Sequence, residues 1–217
     1  MVSDEHIINE YYNFLNERDF PCVAAKAALT RNHIKSFVAS HMACPASDAE
    51  VLRFMYEFVD QYRASDQSYH SAAVIFRGPD ATDEETFDAL LWERLKALSI
   101  LDKVNYDHDP RVDANPEMPN YSYSLKSEAF FVVGLHSGSE RRSRRFKYPT
   151  LIFNPHAEFE KLRRLNRFEK LKRVVRSRDM VYSGSVNPML DDFGNSSEVN
   201  QYSGKRHSDK WKCPLAN

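Results

Sequence analysis

Two histidines follow strand-like apolar runs in the second half of the chain. His136 ends the run Ala129-Phe130-Phe131-Val132-Val133-Gly134-Leu135, and His156 follows Thr150-Leu151-Ile152-Phe153 after Asn154 and Pro155. Strand ends in an open α/β sheet are rigid supports beside a crevice, so ligand sites often form there. We therefore expect His136 and His156 to contribute to one site.

His156 stands between a proline and a predicted helix. A position near a helix N-terminus disfavours the protonated imidazole, and the neutral imidazole is the form that binds iron. His156 is therefore our candidate for the axial ligand of a haem iron. The pattern leaves open that His156 only caps the helix or packs in the core.

A cationic cluster precedes His156 and comprises Arg141, Arg142, Arg144, Arg145 and Lys147. Guanidinium groups form charge-assisted hydrogen bonds with carboxylates, such as haem propionates or an acidic substrate. Arg144 and Arg145 are the predicted propionate partners. The alternative is a solvated, arginine-rich loop.

The motif Phe20-Pro21-Cys22 offers a different iron ligand. A cysteine near the start of a helix can have a lowered pKa and so provide a thiolate. We keep Cys22 and His136 as alternatives to His156. The three cysteines, Cys22, Cys44 and Cys213, are too widely spaced for a zinc clip, and their odd number argues against a disulfide scaffold.

Composition excludes several classes of function. The 30 basic and 31 acidic residues give a net charge of -1, so no global field attracts nucleic acid or anionic lipid. The segment 140–178 is locally basic, which keeps a nucleic-acid-binding module as a third hypothesis. Walker, dinucleotide-binding, G-x-S-x-G and H-E-x-x-H motifs do not occur in the sequence. With no secretory start and no membrane-length apolar run, we expect a cytoplasmic protein.

Hydrophobic periodicity predicts one α/β domain over 1–217: a sandwich in which helices flank a mixed sheet of about four or five strands. Capping boxes at 47–50 and 82–85 open two of the helices, and the strand at 72–76 is predicted to be central. The predicted parts are an N-terminal helix within 1–19, a long loop or lid at 103–127, a helix at 157–178 and an irregular tail over 180–217 that packs on the site.

Several of these segments together resemble the YqcI/YcgG family. They are Phe20-Pro21-Cys22, the strand ending at His136, Ser143-Arg144-Arg145-Phe146, Phe153-Asn154-Pro155-His156, and in the tail Gly184-Ser185-Val186-Asn187-Pro188, Asp192-Phe193-Gly194, Gln201-Tyr202-Ser203-Gly204 and Trp211-Lys212-Cys213-Pro214. Within the family they are similar to a branch that includes the haem-dependent pre-guanitoxin N-hydroxylase.

The resemblance implies a haem b enzyme that hydroxylates a nitrogen of arginine or a related guanidine or amine, with dioxygen and an electron donor. Guanidinium groups are recognised by carboxylates and carbonyls, so Asn187, Asp192, Glu198 and Gln201 are the candidate substrate contacts. Ordinary loop polarity is the alternative for each of them. From the balanced charge and the lack of a membrane-length apolar run, we expect neither a nucleic-acid nor a membrane partner, and a homodimer stays open. A haem-free small-molecule-binding or regulatory protein of the same fold is the second interpretation.

Overall fold

A five-stranded mixed sheet forms the centre of the computed structural model, which describes residues 2–185, 194–208 and 210–216. The strands are β1 (Ile34–His41), β2 (Ser71–Gly78), β3 (Tyr123–Leu125), β4 (Glu128–Leu135) and β5 (Thr150–Pro155), in the order β1-β2-β5-β4-β3. β1 and β2 are parallel, and the other neighbouring pairs are antiparallel. The predicted α/β class and mixed sheet are confirmed.

Helices cover both faces of the sheet. They are α1 (Asp4–Asn16), α2 (Val23–Thr30), α3 (Asp48–Arg63), α4 (Glu84–Asp102), α5 (His156–Arg164) and α6 (Phe168–Ser183). α3 and α4 pack on one face, and α1 packs against the other with α2 beside it. α5 contacts β4 and β5, while α6 bridges α2 and α5.

The alternation of side chains along β4 explains how one strand serves two cores. Phe130 and Val132 belong to the core under α3 and α4, whereas Leu135 belongs to the core under α1 and α2. Successive strand residues point to opposite faces, and both faces are covered, so the strand is apolar throughout. β2 is likewise buried on both faces, although β5 and not β2 holds the middle position.

The two predicted capping boxes are not formed as expected. The hydroxyl of Ser47 caps nothing and instead pairs with Ser40 at 2.9 Å. At the second predicted capping box, α4 starts one residue later than predicted, because the Asp83 carboxylate accepts the Thr86 N–H at 2.7 Å. An aspartate is as good an N-cap as threonine, and its charge also favours the helix dipole.

The single helix predicted over 157–178 is wrong. The chain forms α5 and α6 with a break at residues 165–167, where Asn166 has a φ of 53°. Asparagine tolerates this left-handed conformation better than most residues do. The break lets α6 turn away from the sheet towards α2, and α6 then ends at Gly184, whose φ is 78°.

The long connection at 103–127 packs against the sheet and ends in β3. Its Asp109 is buried and pairs with Arg111, which also binds Glu128 of β4 at 2.7 Å. The tail reaches the same connection, since the Ser197 hydroxyl donates to the Pro116 carbonyl at 2.6 Å. Connection and tail therefore meet beside β4.

Candidate functional site

A cavity of about 380 Å³ lies between one face of the sheet and the layer of α1, α2, α5 and α6. Most of its wall is apolar, and this part includes Leu15, Ala25, Val133, Leu135, Ile152, Phe159, Leu162, Leu171 and Val175. Ligand sites in proteins commonly have volumes of about 300–1,000 Å³ and mainly apolar walls with a few polar groups. The cavity matches that description.

Five of the predicted site residues line this one cavity: Cys22, Arg144, His156, Glu198 and Gln201. They come from the start of α2, the segment after β4, the start of α5 and the tail. The predicted contacts Asn187 and Asp192 lie outside the described residues. His136 and Arg145 do not line the cavity.

His156 is the first residue of α5 and is 8% exposed. Its Nδ1 lies 3.3 Å from the Ser122 hydroxyl, and its Nε2 lies 3.5 Å from the carboxylate of Glu160 one turn later. Burial is the main cause that lowers the pKa of His156 below its usual value, and the positive charge of Arg163 lowers it further. The imidazole is therefore neutral at pH 7, as the sequence predicted.

His136 and His156 lie at opposite ends of the neighbouring strands β4 and β5. The expectation that both histidines share a site is therefore wrong. β4 and β5 are antiparallel, with Leu135 beside Thr150, which sends the ends of the two strands in opposite directions. The His136 ring stacks on Phe87 of α4 with 4.3 Å between centroids, and its Nδ1 lies 3.3 Å from the Thr82 carbonyl. It packs in the other core.

Arg144 is buried and binds backbone carbonyls. Its guanidinium donates to the Gln201 carbonyl at 2.7 Å and to the Tyr202 carbonyl at 3.0 Å, with Gly134 a weaker acceptor at 3.4 Å. Burial lowers the pKa of Arg144 to about 10. In this position Arg144 fastens the tail to β4.

Arg145 is exposed and donates to the carbonyls of Ser139 and Glu140, which closes its own loop. Other cations from α5 and α6 line the cavity, namely Arg163, Lys172 and Arg176. These helical cations, which the sequence reasoning did not single out, are better placed than Arg145 to meet an anionic ligand group there.

Cys22 is the N-cap of α2, where its sulfur accepts the Ala25 N–H at 3.4 Å. Burial raises the pKa of the thiol, although the N–H groups of Ala25 and Ala24 act in the opposite direction. The expected lowering of this pKa by the helix start is thus wrong. Cys22 is a thiol at pH 7, which weakens it as an iron ligand because the thiolate is the ligating form.

Glu198 and Gln201 lie on a short 3-10 helix, Glu198–Gln201, and both are 4% exposed. The Tyr202 hydroxyl donates to Glu198 Oε1 at 2.5 Å. Burial raises the pKa of Glu198 to about 8 despite this hydrogen bond and a second one from Ser122. At pH 7 the Glu198 carboxyl is therefore mostly protonated.

The sequence reasoning missed His70 and Glu158, which also line the cavity. Glu158 accepts the Tyr69 N–H at 3.0 Å and lies 3.3 Å from His70 Nδ1, while the His70 ring stacks on His33 at 4.6 Å. Burial is the main cause that lowers the pKa of His70. His33 and His70 directly precede the parallel strands β1 and β2, so the strand pairing, had it been known, would have placed both near His156.

Within the described ranges, no three histidine, cysteine or acidic side chains converge on a metal-ion site. A haem iron needs only one or two protein ligands, so this finding does not bear against haem. In the same part of the chain, no helix has both the length and the apolar character required to cross a bilayer.

An α/β chain with a ligand-sized apolar cavity beneath one sheet face is the class of protein that the fold and site define. The model of the YqcI/YcgG family matches residues 11–216, and the chain belongs to that family. It is 26% identical over 201 residues to "Uncharacterized protein YqcI" of Bacillus subtilis (strain 168), a match that covers 87% of this chain and 78% of the relative. No solved structure matches it significantly.

Proposed function

We propose that this protein is a haem-dependent N-oxygenase that binds haem b in the cavity and hydroxylates a nitrogen of arginine or a related small guanidine or amine. The observation that carries the proposal is the placement of a neutral, buried His156 on the wall of a mainly apolar cavity of about 380 Å³. A neutral imidazole in an apolar pocket is the usual environment of a haem iron ligand.

The residues present fit this group. His156 would hold the iron, and the apolar residues of α5, α6 and the sheet would cover the porphyrin faces. Lys172 and Arg176 of α6 would pair with the propionates, since both carry a positive charge and line the cavity. Arg144 would act indirectly, by fixing the backbone that carries Gln201.

Bound haem would supply dioxygen activation, which amino-acid side chains do not perform on their own. The chain's own residues would exclude water from the cavity and orient the substrate. Glu198 and Gln201 would face the substrate nitrogen from the polar end of the wall. Electrons would come from a separate donor.

A haem-free small-molecule-binding or regulatory protein of the same fold is the second candidate. The carboxylate of Glu160, 3.5 Å from His156 Nε2, favours it, because an imidazole nitrogen that is paired with a carboxylate does not bind iron. Glu160 is 44% exposed and also pairs with Arg163. The Glu160 carboxylate can therefore move away from His156 and stay in contact with solvent and Arg163, which would free His156 Nε2 for iron.

The test is aerobic turnover by haem-loaded protein with arginine and a chemical or enzymatic reductant, followed by mass spectrometry. The proposal predicts a product heavier by one oxygen atom, with the label incorporated from isotopic dioxygen and not from isotopic water. Haem-loaded protein that yields no oxygenated product from arginine or related amines and guanidines contradicts the proposed reaction.

A further inference from the structure

The helix α6 presents two different surfaces. Its inner side lines the cavity with Leu171, Lys172 and Val175. Residues three or four positions apart lie on the same side of a helix, and by that spacing a second set of residues points the opposite way. We call this set the outer face of α6. Its members are all exposed, and they are Lys170, Arg173, Val174, Ser177, Met180 and Val181.

The outer face is basic, and its cations have no acidic partner. Arg167, the N-cap residue of α6, is also exposed and extends the basic surface beyond Lys170 and Arg173. Among the residues that the structure describes, no carboxylate forms an ion pair with these three side chains. The carboxylates of α6 pair with other cations, namely Glu169 with Lys172 at 2.9 Å and Asp179 with Arg141. The positive charge of the outer face therefore stays available to a partner.

Apolar side chains are also exposed on the outer face. Val181 is 85% exposed, Met180 is 48% exposed and Val174 is 39% exposed. Single apolar residues are normal on protein surfaces, but an apolar patch rimmed by polar residues marks an interaction site. Protein–protein interfaces are enriched in Met and Arg and place a polar rim around an apolar centre. The outer face has that composition.

The charge and composition of the outer face favour one kind of occupant. Surfaces that bind single-stranded RNA add aromatic side chains on which bases stack, and the outer face has none. A second copy of the chain, docked two-fold through the same face, would bring Lys170 and Arg173 close to their own copies. An acidic protein instead meets this face with complementary charge, which speeds association and fixes the register. The occupant that fits is therefore an acidic protein.

We infer that the outer face of α6 is the docking surface for a small acidic electron-carrier protein, one that holds a flavin or an iron–sulfur cluster. Only α6, about 10 Å thick with its side chains, separates a protein docked there from the cavity, because the inner side of this helix is cavity wall. In each transfer the carrier's cofactor loses one electron and the ferric iron of bound haem gains it. That the partner delivers electrons rests on the proposed function, but the docking of an acidic protein does not.

The first test is binding of the full-length protein, with its haem content recorded, to two acidic electron carriers, a plant-type ferredoxin and a flavodoxin. Calorimetry at low ionic strength should show that wild type binds at least one of them and that Lys170→Glu/Arg173→Glu binds it roughly 10-fold more weakly. Added salt should weaken the wild-type binding. The matched control is Lys96→Glu/Lys103→Glu, which reverses two exposed cations of α4 and its C-cap and should bind like wild type.

The apolar part of the outer face has its own matched pair of variants. Val181→Ser removes an apolar contact and should weaken binding of the carrier roughly fivefold. Val104→Ser makes the same change just after α4, at a residue that is 78% exposed, and should leave binding unchanged. Neither substitution removes a buried side chain, so both variants should fold.

The inference is overturned if neither carrier binds, if Lys170→Glu/Arg173→Glu binds as tightly as wild type, or if the control variant loses binding equally. It is also overturned if the outer face binds a short RNA or a second copy of the chain in place of the carriers. Gel-shift and sedimentation measurements with the same variants detect those two outcomes.

Electron delivery is measured separately, as the rate at which the reduced carrier reduces haem-loaded protein. Lys170→Glu/Arg173→Glu should be reduced more slowly than the control variant by the carrier, but at the same rate as the control by dithionite, which needs no docking surface. Protein that takes up haem but binds neither carrier contradicts the docking surface alone. Protein whose outer face binds a carrier but that takes up no haem contradicts the proposed function alone.

Discussion

At the scale of single residues, burial decides the protonation state of the candidate site. It favours neutral His156 and His70, a neutral Cys22 thiol and a protonated Glu198 carboxyl, because an unpaired charge is unstable in an apolar cavity. For His156 the sequence predicted the neutral form from a different cause, the helix start, whereas burial is the main cause in the structure. The sequence prediction failed for Cys22, because a helix start alone does not say how deeply the sulfur is buried.

The raised pKa of Glu198 predicts a pH-dependent stability. Folding raises this pKa from 4.5 to about 8, so between those values the folded state keeps a proton that the unfolded state has lost. The free energy of unfolding should therefore fall as pH rises through this window, by on the order of 4 kcal/mol from this residue. Urea unfolding of wild type and Glu198→Gln from pH 5 to pH 8 measures it.

Glu198→Gln should lack this contribution and gain stability relative to wild type as the pH rises. Glu57→Gln, which makes the same change at an exposed residue of α3, gives the control. A stability difference between Glu198→Gln and wild type that does not change with pH would show that Glu198 titrates normally.

At the scale of elements, the sequence located the strands and most helices but not their pairing. Apolar runs bounded by polar residues give β2, β4 and β5 within a few residues. Strand direction depends on contacts between distant segments, and it was this missing information that wrongly grouped His136 with His156. The break between α5 and α6 was missed because Leu165 and Phe168 continue the apolar spacing across it.

The hydrogen bonds of Arg144 to the carbonyls of Gln201 and Tyr202 should hold the tail against the sheet. Arg144→Met should leave the carbonyls of Gln201 and Tyr202 without their buried donor and destabilise the protein by about 3 kcal/mol. The loss should be accompanied by faster hydrogen exchange in residues 198–204, measured by mass spectrometry. This outcome would make Arg144 a positioning residue.

The matched control is Arg145→Met, which removes an exposed arginine that also binds two carbonyls. It should cost less than about 1 kcal/mol, since its acceptors can turn to water. Equal losses for the two variants, with unchanged exchange in the tail, would mean that Arg144 does not hold the segment.

At the scale of the whole molecule, the fold brings residues that are up to about 190 positions apart in sequence to one cavity, from Tyr11 to Gln201. Five of the lining residues could be predicted as site residues from sequence motifs, whereas Glu158 and His70 could be recognised only once the fold was known. The family match extends over 11–216 and so includes every element that lines the cavity except the first part of α1. The central claim is that this cavity holds haem through His156.

The most direct test is the absorbance spectrum of protein loaded with haem, oxidised and then reduced under carbon monoxide, compared among wild type, His156→Ala, Cys22→Ser and His6→Ala. The exposed His6 serves as the matched histidine control. The account predicts a stoichiometric Soret band that shifts with carbon monoxide in wild type, Cys22→Ser and His6→Ala, and loss of most bound haem in folded His156→Ala. A wild-type protein without the band, or a His156→Ala variant with full haem content and an unchanged spectrum, would contradict it.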